Sequence, residues 1–164
     1  MEKQISSYSE RDRKYAWDYF SMHSAQRIST FNFYITLALA LSTGVATALQ
    51  PSINLPIIAI VLSTVLMLIS FVFYKLDRRN TMLIKRAEVA LKEEENRLES
   101  ELLVSSSFSL FRIDEEDVKQ QRSKKSFWFW KNYYSYSDCF NLVFTIFGIL
   151  GVSGVIFAIM LTIL

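Results

Sequence analysis

Charge is missing from two stretches of this sequence. Arg27 is followed by no acid or base until Lys75, and none occurs from Cys139 to Leu164, so residues 28–74 and 139–164 form charge-free runs of 47 and 26. The 18 basic and 16 acidic residues all crowd into the rest of the chain. The modest positive mean hydropathy is therefore an average of two opposite compositions. A helix needs about 20 apolar residues to cross the hydrocarbon core, so the first run accommodates two crossings and a tight turn, and the second accommodates one. A soluble globular enzyme is excluded by this pattern.

Cysteine, histidine and proline are almost absent too. Cys139 is the single cysteine, so it forms no internal disulfide and lacks partners for a metal site; it reads as a small packing residue at a membrane boundary. Both prolines, Pro51 and Pro56, fall with Asn54 in one short stretch, where they break the chain between crossings. A signal peptide, with its short basic start and brief apolar core, is not matched by the polar, aromatic-rich residues 1–27. The first hydrophobic segment is expected to stay in the mature protein.

The basic residues set the expected topology. Five lie before the first crossing (Lys3, Arg11, Arg13, Lys14, Arg27) and thirteen lie between residues 75 and 138, while the turn from Gln50 to Pro56 carries none. The positive-inside bias then puts the N-terminus and the central segment in the cytoplasm, with the turn and Leu164 outside.

These observations predict an all-α membrane protein of three transmembrane helices with a helical cytoplasmic domain. Residues 1–32 form a cytoplasmic amphipathic helix and residues 33–74 a transmembrane hairpin, with crossings at 33–49 and 55–74. Residues 75–138 form a cytoplasmic helical region, and residues 139–164 the third crossing. From Lys75 to Val104 there is no Gly or Pro, so the second crossing is expected to continue into the cytoplasm as one helix of about 75 Å. Leu76, Leu83, Ala87, Leu91, Leu98 and Leu102 give that extension an apolar stripe, to be covered by the N-terminal stretch and by other copies of the chain.

The first crossing is dense in small residues, with Ala40, Gly44 and Ala48 at i+4 spacing, and the third holds Gly148, Gly151, Gly154 and Ala158. Such residues let helix backbones approach closely, which marks these seven as candidates for oligomer packing. Thr36, Thr43 and Thr47 form a hydroxyl stripe with two readings. Each hydroxyl bonds the carbonyl one turn back in an ordinary packed helix, or the stripe lines a pore. The second crossing is mostly Ile, Leu, Val and Phe and reads as lipid-facing.

Two further motifs carry chemistry. Lys124, Lys125, Trp128, Trp130, Lys131, Tyr133 and Tyr134 lie in a basic-aromatic segment (124–136) directly before the third crossing. Single-stranded nucleic acid is gripped by this composition, and so is the headgroup layer. Thirteen bases against twelve acids leave residues 75–138 too nearly neutral for strong phosphate affinity, so the segment reads as a membrane-interface anchor and no nucleic acid is expected. Asp114-Glu115-Glu116-Asp117 reads as an acidic helix start rather than a metal site, since it lacks the glycine and spaced oxygens of a calcium loop.

Tyr19, His23, Gln26 and Arg27 share one polar face just before the charge-free run, where cationic groups face water or a polar partner. In a ring they would converge as a pore mouth with a band of positive charge, to which His23 adds pH sensitivity. A nuclease pairing of the RxxxxH kind is not met. The order here is HxxxR, without a second histidine or an acidic constellation, so no catalytic residue, cofactor or metal is expected.

The run from Trp17 to Phe33 entering the first crossing, and the run Tyr74-Lys75-Leu76-Asp77-Arg78-Arg79-Asn80-Thr81-Met82-Leu83-Ile84-Lys85 leaving the second, resemble small bacterial membrane proteins of the RipA-type octameric family. That grouping takes in accessory membrane proteins of anti-phage loci, such as the one encoded beside the type VI-B CRISPR nuclease. The resemblance implies a homo-oligomer, with an octamer as its model, in the bacterial inner membrane and without enzyme activity. It points to a channel-like effector that permeabilises or depolarises the membrane when a partner encoded nearby triggers it. The alternative is a non-conducting scaffold or adaptor that recruits a partner through its cytoplasmic helices.

Overall fold

The computed structural model describes residues 2–102 and 136–163, and the side chains of residues 10–97 and 136–163. Three helices account for nearly all of this, and there is no strand among the described residues: α1 (Glu2–Ala48), α2 (Pro56–Leu102) and α3 (Tyr136–Ile163). Each is long and apolar enough to cross a membrane. The all-α, three-span fold expected from the charge-free runs is the one observed. The basic-aromatic anchor from Lys124 to Tyr134, the acidic run Asp114–Asp117 and the side chains of Leu98 and Leu102 lie outside the described residues.

The helices are longer than the crossings they contain. α1 continues without a break from the polar N-terminal segment into the first crossing, and α2 runs for 47 residues, about 70 Å at 1.5 Å per residue. Residues 49–55 supply the break between the two helices. Asn54 takes a left-handed backbone conformation with φ of 46°, which Asn tolerates better than most residues. The Leu55 N–H donates to the Ala48 carbonyl at 3.0 Å, closing the turn. Pro56 then occupies the first helical position, where its fixed φ suits the helix and its missing N–H costs nothing.

The chain divides into two compact units, residues 27–79 with 135–164 and residues 1–26 with 80–134. The first is a bundle of three apolar helices packed along 4-3 spaced seams. On α2 the seam runs Ala59, Ser63, Leu66, Ser70, Phe73 and Asp77; on α3 it runs Phe140, Phe144, Phe147, Gly151, Gly154 and Ala158. A repeat averaging 3.5 residues keeps each seam facing its neighbours, as in left-handed coiled coils. Bulk is graded along the bundle. Toward the charged ends of the crossings the core is aromatic, with Phe31 stacked on Phe140 at 3.8 Å and Tyr34 against Phe144 at 4.7 Å. Near the turn one alanine from each helix (Ala48, Ala59, Ala158) fills the centre.

Two expectations about α2 are corrected. Its crossing is not simply lipid-facing, because Ser63 and Ser70 are buried in the seam. The apolar stripe is also rotated at its start, with Leu76 42% exposed and Asp77 only 5% exposed. Counting apolar residues alone skipped the buried acid that holds the 4-3 register.

In the second unit the stripe does have a cover. Ile84, Ala87 and Leu91 of α2 and Ala16 of α1 are buried, and Trp17 and Leu91 line one groove of about 480 Å³ with Glu10, Arg13, Lys14, Glu94 and Glu95. The N-terminal stretch therefore packs beside α2, as the length of the stripe required.

Candidate functional site

The last charge before the first crossing does not face water. Arg27 on α1 grips Asp77 on α2 through two parallel bonds, Nε to Oδ1 at 2.6 Å and Nη2 to Oδ2 at 3.0 Å. Its Nη2 also donates to Ser137 Oγ on α3 at 3.0 Å, and its guanidinium lies 4.9 Å from the centre of the Phe140 ring. The two charged side chains are only 11% and 6% exposed. One arginine thus joins all three helices at the edge of the charge-free run. A forked guanidinium suits this place because it satisfies a carboxylate bidentately and still has donors to spare.

Arg27 is one of the four residues expected at a pore mouth, and it has a polar partner there. Its charge is met by a carboxylate inside its own chain, so it adds no free band of positive potential. Tyr19 and His23 are half-buried and packed edge to face at 4.3 Å, with His23 Nδ1 buried and without a hydrogen-bond partner among the described residues. Gln26 is exposed. No three His, Cys, Asp or Glu side chains converge on a metal-sized site among the described residues.

Deeper in the bundle, fully buried Tyr34 lies 2.9 Å from Ser70 Oγ, which donates its own proton to the Leu66 carbonyl at 2.8 Å. The tyrosine hydroxyl is therefore the donor of the pair. This link between α1 and α2 satisfies polar groups where water is absent.

The hydroxyl stripe points away from that core. Thr36, Thr43 and Thr47 are exposed, as are Ala40 between them and Ser29 below. At 3.6 residues per turn these five fall in a sector of about 60° opposite Tyr34 and Ala38. Thr36 and Thr43 donate to the carbonyls of Asn32 and Leu39 at 3.1 and 2.9 Å. Their protons are used within the helix, while their oxygens still present acceptors to whatever lies outside.

Most of the small residues expected at contacts between copies bring the chain's own helices together. A Cβ on Gly151 would sit 2.9 Å from Met67 N and from the Ser63 carbonyl, both backbone atoms of α2, and one on Gly154 would run into Ser63 Oγ. On Gly44 it would meet Leu62 Cδ1 at 3.0 Å, whereas on Gly148 it would lie a comfortable 3.8 Å from Ser70 Cβ. Ala48 and Ala158 are buried within the chain, leaving Ala40 fully on the outer face. The glycine notch was legible as a place for a helix. That the helix is α2 became clear only from the fold.

Sequence reasoning also missed Asp77, Ser137, Tyr34, Ser63 and Ser70. The signal for the α2 residues was the 4-3 spacing of Ala59, Ser63, Leu66, Ser70, Phe73 and Asp77. Ser137 carries no such signal, because only the approach of α3 to Arg27 distinguishes it.

Comparison with known proteins agrees with this architecture. No solved structure matches the chain. CD-NTase-associated protein 19 of Escherichia coli is 31% identical over 142 residues, which cover 87% of each protein. The model of the octameric membrane protein family (8xMP) matches residues 10–161, taking in all three spans, the Arg27–Asp77 pair and the glycine notch. The chain belongs to the octameric membrane protein family.

Proposed function

We propose that eight copies of the chain close into a ring in the bacterial inner membrane, with the outer face of α1 toward the axis. The assembly acts as a channel-like effector that permeabilises or depolarises the membrane in a defence or stress system. The observation that carries this reading is the exposed face of Ser29, Thr36, Ala40, Thr43 and Thr47. A face turned to lipid gains nothing from hydroxyls and small side chains; α2 and α3 expose Ile57, Val61, Leu68, Ile149 and Ile156, and on α1 the exposed Phe33 and Leu39 flank the hydroxyl face. α1 is also the least apolar of the three spans. Eight copies of its hydroxyl face around an axis supply oxygen acceptors to water and ions.

The N-terminus and the residues after Lys75 lie on the cytoplasmic side, following their basic residues, and the turn at residues 49–55 and the C-terminus lie outside. The relative's association with a CD-NTase suggests that the trigger is a protein encoded nearby. The basic-aromatic segment from Lys124 to Tyr134 anchors the central region in the headgroups, without nucleic acid as a partner.

Ion flux from vesicles tests this reading. Purified assembly should release a trapped ion gradient, and replacing Thr36, Thr43 and Thr47 together with Leu should abolish most of that flux while the native mass stays unchanged. Equal flux from the triple variant would place the stripe away from the conducting path. A second reading, a non-conducting adaptor, is favoured by a different observation. Trp17 is 51% exposed at a groove of mixed charge in the unit formed by residues 1–26 and 80–134, a surface suited to a partner protein. An intact assembly that conducts nothing would support it.

A further inference from the structure

Building on the ring reading, we infer that the groove between α1 and α3 receives the α2 edge of the neighbouring copy. A cyclic ring is closed by heterologous contacts, so each chain must carry two different and complementary flanks. In the bundle α1 stands between α2, which meets it at Gly44, and α3, which leaves a groove beside Ser42 and Ala46. If the hydroxyl face of α1 turns to the axis, these are the two flanks.

The flanks differ in the way a ridge and a groove differ. The groove encloses about 560 Å³, its floor made of Ser42, Ala46, Ser153 and Gly154 and its walls of larger residues such as Leu150 and Phe157. Its polar groups are already provided for. Ser42 donates to the Ala38 carbonyl at 2.8 Å and Ser153 to the Leu150 carbonyl at 3.0 Å, so a helix entering the groove buries no unpaired donor there. The opposite flank carries Ile58, Val65 and Val72 at steps of 7, all branched and between 37% and 51% exposed, beside Leu62 and Ile69, which pack within the chain. A ridge of that period seats into a floor of small residues as knobs do in holes.

The turn fixes which residues meet. The Leu55–Ala48 bond and the contact of Leu62 with Gly44 set the antiparallel register of α1 and α2. Parallel copies at one depth therefore bring Ala46 opposite Ile58 of the neighbour, and Ser42 opposite Val65.

Disulfide trapping in a Cys139→Ser background tests the contact. Chains carrying Ala46→Cys with Ile58→Cys, or Ser42→Cys with Val65→Cys, should give on mild oxidation a ladder of linked species up to the closed ring. Each single variant should stay unlinked. Self-linked dimers from a single variant would overturn the inference, because they require a two-fold contact. No ladder from either pair, in preparations whose native mass is that of the ring, would overturn it too and leave the groove to an acyl chain. A native mass of one chain would remove the ring reading and this contact together.

Discussion

Replacing Asp77 with Ala will destabilise the protein by about 3–5 kcal/mol, because it strands the Arg27 guanidinium at the edge of the hydrocarbon without its carboxylate. Arg27→Ala will do comparable damage by leaving the carboxylate behind. The pair Arg27→Met with Asp77→Leu will recover most of the loss, since removing both charges also removes the cost of keeping them from water. Thermal unfolding in detergent and protein level in membranes follow the effect. Single variants as stable as the wild type would mean that water reaches the pair. A double variant worse than either single would mean that its packing partners do not accept apolar groups.

Gly151→Leu and Gly154→Leu are expected to act within the chain before they act between chains. At Gly151 the nearest atoms are the backbone of Ser63 and Met67, which cannot turn aside as a side chain would. Overpacking a fitted core costs about 1–3 kcal/mol, and here the cost should reach the upper end or exceed it. Gly148→Ala is the control, with its added methyl at an ordinary contact distance from Ser70, and should leave the midpoint nearly unchanged. Thermal unfolding measured beside native mass separates the alternatives. The variants at 151 and 154 should have a lower midpoint, with any loss of assembly following from it. A falling mass at an unchanged midpoint would return the notch to an interface between copies.

The sequence made the membrane class plain because charge is a coarse and costly signal. An unpaired charge in hydrocarbon is expensive, so its absence over residues 28–74 and 139–164 marks the spans directly. Glycine and proline marked the breaks and close approaches for similar reasons, since their effects on the backbone are local. The Arg27–Asp77 pair was harder. Fifty residues separate the partners, and Asp77 sits among Lys75, Arg78 and Arg79, where it looks like one more surface charge. Its burial follows from the phase of the 4-3 seam that begins at Ala59, and that seam is concealed in a crossing where nearly every position is apolar. The hydroxyl face of α1 lies between these cases. Its residues could be picked out, but whether they face outward depended on where Tyr34 and Ala38 are buried.

Current recorded across a planar bilayer from the purified assembly, with its native mass measured on the same preparation, shows whether the ring conducts. Particles of eight chains should give discrete conductance steps, in the resting state or on addition of the triggering partner, and the Thr36, Thr43 and Thr47 triple variant should lose them. A bilayer that stays electrically silent under both conditions, while the eight-chain mass is intact, would contradict it.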